Sequence, residues 1–310
     1  MAANIETMFY TRTAPWHGLG TRVDEALTSK DAIFYAGLVW QVLQEPVYTS
    51  AEELVSGYKA NVRDTDRNIL GIVSDRYKIV QNEEAFSFTD ALLGEGVKYE
   101  TAGSIANGKI VWLLAKMPHR YIISGDVIEP YLVFSNTHDG SGAIRVAMTP
   151  IRVVCQNTLN LALRGAQRSW SARHTSNVLN RLDEARETLQ LADKYMNRLG
   201  KAIDELNQKK LSDKKVISMI EELYPVSEDM KEMQKKNNLK QQETLKACYF
   251  DAPDLQEVGK NGYRFMNAVS DMSYHAKPLR QTRNYKENVF KRTIEGSPIL
   301  DKTYQMILTA

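Results

Sequence analysis

The stretch from Gly140 to Leu182 reads GSGAIRVAMTPIRVVCQNTLNLALRGAQRSWSARHTSNVLNRL. It contains six arginines and no Lys, Asp or Glu, although the chain of 310 residues carries a formal net charge of only +2. A local excess of guanidinium groups needs an acidic counterpart, either elsewhere in the chain or in a bound partner.

A helix is predicted to begin at Thr149-Pro150, because Thr accepts from free N–H groups and Pro loses no hydrogen bond at the first helical position. We expect this helix to run from about Pro150 to Arg164, and in its longest form to Arg168. The three-and-four spacing gives it an apolar face of Ile151, Val154, Cys155, Thr158, Leu159 and Ala162. Another face carries a row at four-residue spacing, namely Arg152, Gln156, Asn160, Arg164 and Arg168.

This row is suited to phosphate groups, because guanidinium groups present fork-shaped donors to oxyanions. Arg145 precedes the row, and Trp170 follows it with a stacking surface beside further positive charge. The predicted nucleic-acid-binding residues are therefore Arg145, Arg152, Gln156, Asn160, Arg164, Arg168, Trp170, Arg173 and His174. The alternative is a solvated helix face whose arginines pair with acids from elsewhere in the chain.

The residues before this stretch predict a mainly antiparallel sheet. Alternating and turn-bounded segments indicate strands at 39–48, 58–73 (a hairpin turning at Asp64 to Asn68), 97–105 with 109–117 (a hairpin turning at Asn107-Gly108), 128–136 and 143–148. Helices are expected from Ser29 or Asp31 through Ala36 and from Asn82 through Leu93. The predicted fold class is α+β, with the basic helix packed on or beside the sheet and a long helical region after it.

Beyond Thr175 the apolar residues recur at alternating spacings of four and three, which is a heptad pattern. Its positions are Val178, Leu182, Ala185, Leu189, Ala192, Met196, Leu199, Ile203 and Leu206. A self-association element and a helical subdomain packed on itself both fit this pattern. Further helices are predicted at 211–223 and 227–247, and a second basic patch at Lys277, Arg280, Arg283, Lys286, Lys291 and Arg292. The predicted domains are residues 1–174, an α+β core, and residues 175–310, a helical region.

Composition narrows the class of protein. Hydrophobic residues make up 43% of the chain, but no apolar run is long enough to cross a bilayer and the start lacks a secretory pattern. We therefore expect a cytoplasmic protein without membrane contact. The two cysteines, Cys155 and Cys248, suggest neither a disulfide framework nor a zinc site, and no cofactor is expected.

A catalytic reading has four candidate residues, Asp64, Asp66, His138 and Asp139. Together they could serve a metal-dependent enzyme acting on nucleotides or phosphodiesters. However, Asp-rich hairpin tips usually form turns, and one His-Asp pair does not fix a metal. The Gly140-Ser141-Gly142 sequence matches neither a Walker A loop nor a dinucleotide fingerprint.

Several runs of the sequence resemble a known family. These are PWHGLGTRV, YKANVRDTDRNILGIVSDRYKIVQNEEAF, KYETAGSIANGKIVWLLAKMP, EPYLVFSNTHDGSGAIRVAMTPIRVVCQNTLNLAL and WSARHT. Over about residues 8–200 the chain closely resembles the phage/plasmid-like family of a domain of unknown function. That resemblance implies nucleic-acid metabolism, copying or counter-defence, without naming an activity. The order of sheet and basic helix is also similar to the RecT, Red-beta and Erf group of single-strand annealing proteins, which have a lysine-rich groove that this chain lacks.

The preferred hypothesis is a non-enzymatic protein of a phage or plasmid that binds and anneals single-stranded DNA as a homo-oligomer, in recombination or replication. The first alternative is the metal-dependent enzyme. The second is a host-interaction or counter-defence protein whose heptad segment docks a host protein.

Overall fold

The computed structural model describes residues 5–11, 20–26, 28–93, 98–117, 120–152, 157–158, 161, 163, 169–178, 192–276 and 296–310. The fold is α+β with mainly antiparallel sheets. The chain forms two compact units, each made of separate segments. Unit 1 comprises residues 1–119, 130–148 and 168–192, and unit 2 comprises residues 120–129, 149–167 and 193–310.

Twelve strands are formed by the described residues. They are β1 Ile5–Tyr10, β2 Thr21–Arg22, β3 Val42–Tyr48, β4 Leu54–Arg63, β5 Ile69–Ser74, β6 Lys98–Ile105, β7 Ile110–Lys116, β8 Tyr121–Ile123, β9 Asp126–Thr137, β10 Ile144–Arg152, β11 Asn157–Thr158 and β12 Ser169–Ala172. The large sheet has the order β11-β10-β9-β7-β6-β1-β2, with β12 also paired to β10 and β8 to β9. The small sheet has the order β3-β4-β5.

Both predicted hairpins are confirmed. Strands β4 and β5 form the first, and β6 and β7 form the second, whose last pair joins Ile105 to Ile110. Ala106, Asn107 and Gly108 all have φ between 56° and 81° in the connecting turn, a region that Asn and Gly tolerate best. Along β7, Val111 and Leu113 are fully buried, and Trp112 between them is only half-buried. This alternation shows that one face of the large sheet forms a core.

Two helices cover that core face in unit 1. Helix α1 (Ser29–Tyr35) begins with a capping box between Thr28 and Asp31. Helix α2 (Asn82–Leu93) has the predicted bounds, and its Phe86 lies edge-on to Phe134 of β9 at 5.6 Å between ring centroids. The core residues of the strands include Phe9, Leu113, Phe134, Val146 and Trp170.

The helix predicted to begin at Pro150 is wrong. Strand β10 continues through Arg152, and Ile151 pairs with Thr158 of β11. The apolar and β-branched residues of IRVAMTPIR suit a strand, and pairing with β12 and β11 satisfies backbone groups that the helix would have satisfied locally. Arg152 therefore ends a strand, and the predicted row of arginines and amides does not lie on one helix.

Unit 2 contains five α-helices in its described residues, α3 Ala192–Gln208, α4 Asp213–Leu223, α5 Glu232–Phe250, α6 Gly262–Tyr274 and α7 Pro298–Leu308, and a 3₁₀ helix at Pro253–Leu255. Helices α4 and α5 correspond to the predicted helices at 211–223 and 227–247. Four heptad residues of α3, namely Met196, Leu199, Ile203 and Leu206, are each exposed by 1% or less, and nothing is described of the side chain of Ala192, the fifth. They pack inside this chain, so they are not available as a seam between chains. Leu182, Ala185 and Leu189 lie outside the described residues.

A buried arginine stabilises the helical part of unit 2. The Arg264 side chain donates from Nε and Nη2 to the carbonyl of Tyr249, and from Nη1 to the carbonyl of Val258. Tyr249 lies in the last turn of α5, where carbonyl groups lack helical partners, so this arginine acts as a cap. In the part of the chain that the structure describes, no helix combines the length and apolarity needed to cross a bilayer. The predicted basic patch at residues 277–292 lies outside the described residues.

Two glycines give opposite expectations for stability. A Cβ at Gly103 of β6 would lie 2.4 Å from the Thr7 carbonyl oxygen and 2.7 Å from the Met8 Cβ, whereas a Cβ at Gly200 of α3 would meet Ile123 at an ordinary 3.9 Å. We expect Gly103→Ala to lower the free energy of unfolding by about 1 to 3 kcal/mol through overpacking. Gly200→Ala should raise it by about 0.5 to 1 kcal/mol, since Ala has the higher helix propensity. Thermal melts of the two variants check this, and equal melting temperatures would contradict it.

Candidate functional site

Two segments of unit 1 that are far apart in sequence lie side by side. The Lys78 N–H donates to the His174 carbonyl oxygen at 3.0 Å, and His174 Nδ1 lies 2.9 Å from the Lys78 carbonyl oxygen. Because a carbonyl oxygen only accepts, Nδ1 carries the imidazole proton. The rings of Tyr77 and His174 are stacked, with centroids 4.4 Å apart and an angle of 16° between planes. We call this arrangement the Tyr77–His174 lock.

The lock turns basic side chains outward. Tyr77 and His174 are buried, whereas their chain neighbours Arg76, Lys78 and Arg173 are exposed. We call these three residues the outer cationic cluster. Asp75 is exposed next to Arg76, and the charge of Asp139 acts on both rings of the lock. The three cations of the cluster therefore outnumber the two carboxylates beside it.

The β10–β12 pair continues the polar surface. Arg145 of β10, which is half-buried, pairs in register with Ser171 of β12, and Ser169 and Ser171 are both exposed. Arg173 follows β12 directly. Arg145 and Arg173 are thus the two predicted arginines whose side chains the structure describes.

Two predicted contact residues face the interior instead. Trp170 is only 7% exposed and pairs with Val146 in the core, because strand alternation turns Ser169 and Ser171 outward and Trp170 inward. Trp170 is therefore not available for stacking on a base, although the sequence predicted that role for it. His174 is 6% exposed, and burial lowers its pKa despite the opposing effects of the Lys78 carbonyl and the Asp139 charge. A neutral, buried His174 does not supply positive charge.

The remaining predicted residues are not placed by the structure as binding groups. Arg152 ends β10, and nothing is described of its side chain. Gln156, Asn160, Arg164 and Arg168 lie outside the described residues.

A buried polar network lies under the lock. The Tyr77 hydroxyl donates to the Thr137 carbonyl oxygen at 2.5 Å, and Asn61 Nδ2 donates to the His138 carbonyl oxygen at 2.7 Å. His138 Nε2 lies 3.0 Å from Asn82 Oδ1. Asn82 uses its Nδ2 to donate to the Leu38 carbonyl oxygen, so its Oδ1 accepts and His138 Nε2 carries the proton. The end of β9 is thereby attached to β4 and to the start of α2.

Both histidines of this network are left with a lone pair in the interior. His138 Nδ1 and His174 Nε2 have no hydrogen-bond partner in the described structure, and neither do Asn136 Oδ1 and Thr137 Oγ1. Burial is the main cause that lowers the pKa of His138 to about 3, and the repulsion that would arise if His174 were protonated as well adds to it. The network thus consists of neutral imidazoles and amides that both donate and accept, and at neutral pH it carries no cation.

The candidate catalytic residues have structural partners instead. Asp66 accepts two hydrogen bonds from the Arg63 guanidinium, which lowers the pKa of its carboxyl to about 2. Asp64 accepts from the Gln41 N–H, Asp139 accepts from the Ser141 N–H, and His138 is fully buried. Among the described residues, no three His, Cys, Asp or Glu side chains are grouped to hold a metal ion.

Arg76, Tyr77 and Lys78 were not among the site residues predicted from the sequence. The sequence offered one signal, an alternation of polar and ring-bearing residues. Arg-Tyr-Lys at 76–78 and Arg-His-Thr at 173–175 each place one ring between two polar side chains. Their pairing bridges 96 positions between Lys78 and His174, and local patterns do not specify contacts of that range.

The comparisons with known proteins give one match. A family model described as Domain of unknown function (DUF932) matches residues 69–293. No curated protein and no solved structure matches the chain. The matched range includes Arg76, Lys78 and Arg173, and it also includes every side chain of the polar network except Asn61.

The buried histidines predict loss of stability in acid. The folded-state pKa of His138, about 3, is below its unfolded value of about 6.5, so the unfolded chain binds the proton first and stability falls as the pH drops below about 6.5. His138 alone should remove about 2 kcal/mol of unfolding free energy between pH 7.5 and pH 5. Urea denaturation at both pH values measures this, with NMR titration of the His138 ring as the site-specific control. A His138 resonance that titrates near pH 6.5 in the folded protein would contradict it.

Proposed function

The chain belongs to the family described as Domain of unknown function (DUF932), and we propose that it binds single-stranded DNA through the outer cationic cluster of unit 1. The observation that supports this proposal is the Tyr77–His174 lock, which holds Arg76, Lys78 and Arg173 in water on two adjoining segments. An exposed basic group is the general requirement for contact with a phosphate backbone.

The surface suits phosphates better than bases. Ser171 extends the cluster along β12 with an exposed hydroxyl donor, and hydroxyl and guanidinium groups are common partners of phosphate oxygens. The nearby aromatic rings of Tyr77 and Trp170 are buried, so they offer no stacking surface. Contact would therefore be independent of base sequence and would leave the base edges free.

A strand held by its backbone with its bases exposed is able to pair with a complementary strand. Screening of the phosphates by arginine and lysine lowers the repulsion between two such strands. This property supports a role in strand annealing during phage or plasmid recombination or replication. It requires no catalytic group and no cofactor.

Removal of the three side chains of the cluster should lower the affinity for DNA and also reduce the dependence of that affinity on salt. For the Arg76→Ala/Lys78→Ala/Arg173→Ala variant we expect at least a tenfold loss of affinity for a labelled oligothymidylate, measured by fluorescence anisotropy. Each phosphate contact contributes a slope of about 0.7 in log affinity against log salt for single strands, so the slope should fall by about 2.

The matched control removes three exposed basic side chains of α3, as Lys194→Ala/Arg198→Ala/Lys201→Ala, and should bind like the wild type. In the same titration Asp75→Asn should bind more tightly, because it removes the carboxylate at the edge of the cluster. Equal losses in the two triple variants would indicate a net-charge effect only. A folded wild type that binds no oligonucleotide at low salt would overturn the proposal.

The lock gives a second prediction, in which no charge is removed. Tyr77→Ala deletes the stack on His174 and the hydrogen bond to Thr137, so the segments that carry the cluster should separate and the affinity should fall severalfold. Tyr77→Phe keeps the stack and should bind more tightly than Tyr77→Ala. The measurement is the same anisotropy titration, made at a temperature where circular dichroism shows both variants folded. Wild-type affinity in Tyr77→Ala would show that the lock does not organise the binding surface.

A further inference from the structure

Three buried side chains of unit 1 have an acceptor atom without a hydrogen-bond partner in the part of the chain that the structure describes. These atoms are Asn136 Oδ1, His138 Nδ1 and His174 Nε2. Asn136 and His138 are completely buried, and His174 is 6% exposed. Because buried polar atoms nearly always have a partner, the three acceptors indicate a ligand that the chain itself does not supply.

All three side chains lie on the core face of the large sheet. Asn136 and His138 are two and four positions after the core residue Phe134, so alternation along β9 puts them on the same side. Ala172 of β12 belongs to the same core, and His174 continues its alternation. The two imidazole rings are close enough for a charge on one to act on the other.

The second polar atom of each side chain is held by a neighbour. A backbone carbonyl accepts from His174 Nδ1, and the amide oxygen of Asn82 accepts from His138 Nε2. The remaining nitrogen of each ring therefore has a lone pair and no proton. Asn136 Nδ2 donates to the Val80 carbonyl oxygen, so its remaining atom is the oxygen. Histidines that bind metals characteristically donate their second ring N–H to an oxygen in this way.

Two imidazole nitrogens and one amide oxygen form a set of acceptors without a donor. A single water molecule donates two hydrogen bonds and would leave one of the three acceptors unpaired. A metal ion accepts an electron pair from each of them. Imidazole nitrogens favour zinc, copper, nickel or iron over magnesium and calcium, and zinc commonly combines three protein ligands with one water.

The surroundings supply an opposite charge for a buried cation. The carboxylate of Asp139 acts electrostatically on the His174 ring, which offsets part of the cost of an ion in the interior. The cations of the outer cationic cluster oppose it, but they are exposed to water, which screens their charge. Gly140 and Arg173, close to the two histidines in sequence, are exposed, so the histidines lie just below the surface.

We propose that Asn136 Oδ1, His138 Nδ1 and His174 Nε2 bind one divalent transition-metal ion of the zinc class. Its third ligand is an amide oxygen, which distinguishes the site from a cluster of three His, Cys, Asp or Glu side chains, a type that the described residues lack. The ion joins the end of β9 to the segment after β12. Its role is structural, because buried ligands leave no path for a substrate. The inference does not depend on the proposed DNA binding.

The test uses the full chain without an affinity tag, unfolded with a chelator and refolded with or without zinc, in the absence of nucleic acid. We expect one zinc ion per chain by mass spectrometry of metal content. Zinc in excess of its Kd should raise the melting temperature by about 5 °C or more, because the ion binds only the folded state. A refolded wild type that retains no zinc and melts at the same temperature would overturn the proposal, and the acceptors would then be satisfied by water.

Two variants and a matched control identify the ligands. His174→Phe keeps a ring to stack on Tyr77 but removes the nitrogen, and should lower the zinc affinity about tenfold or more. Asn136→Asp replaces the amide oxygen by a charged one and should raise the affinity, an effect that a purely structural role does not produce. His275→Ala is the control, since His275 is exposed at the end of α6, and it should bind zinc like the wild type.

A measurement on the wild type keeps the proposal testable if a variant fails to fold. In long-range ¹H–¹⁵N NMR spectra, zinc should shift the resonances of His138 Nδ1 and His174 Nε2 and leave those of His275 unchanged. Zinc that shifts only the His275 resonances would be an adventitious surface ion and would overturn the proposal. So would zinc binding that neither His174→Phe nor Asn136→Asp alters.

Discussion

The attachment of the end of β9 is the constraint on which unit 1 depends. Two carbonyl groups, those of Thr137 and His138, are buried there and accept from Tyr77 and Asn61. A buried carbonyl without a donor costs on the order of 1 to 3 kcal/mol, so each of these contacts is costly to lose. Together they fix the small sheet and the segment before α2 against the large sheet. The lock, the outer cationic cluster and the orientation of the small sheet all follow from that attachment.

The parts of the fold that sequence patterns predict well are those with local causes. The hairpin that turns at Asn107-Gly108 and the helix from Asn82 to Leu93 were predictable because turn residues and helix-start acids act over a few positions. The absence of a helix at Pro150 was not predictable from local signals. Thr-Pro starts a helix only when the backbone of the following residues has no strand to pair with. Here β12 and β11 supply one, and cooperative strand pairing outweighs a local cap.

The site was less predictable than the fold. Arg173 is exposed within the arginine-rich stretch, while Gln156, Asn160, Arg164 and Arg168 lie outside the described residues. The inward positions of Trp170 and His174 were not predicted, because composition does not reveal which side of a strand a residue occupies. The alternation in Ser-Trp-Ser-Ala would have indicated an inward Trp170 once the segment was taken as a strand. Arg76 and Lys78 could not have been found in this way, since their position depends on a contact with a distant part of the chain.

The interleaving of the two units in the sequence constrains the order of events during synthesis. Unit 1 ends with residues 168–192, after a segment of unit 2, so a nascent chain that stops at Met148 lacks Trp170 opposite Val146 and His174 against Tyr77. Larger proteins usually fold one domain after another as the chain emerges. This protein cannot do so, because unit 1 is not complete until a segment of unit 2 has been synthesised. The core of unit 1 stays incomplete on the ribosome until more than half of the chain has been made, and neither unit can be produced as one unbroken fragment.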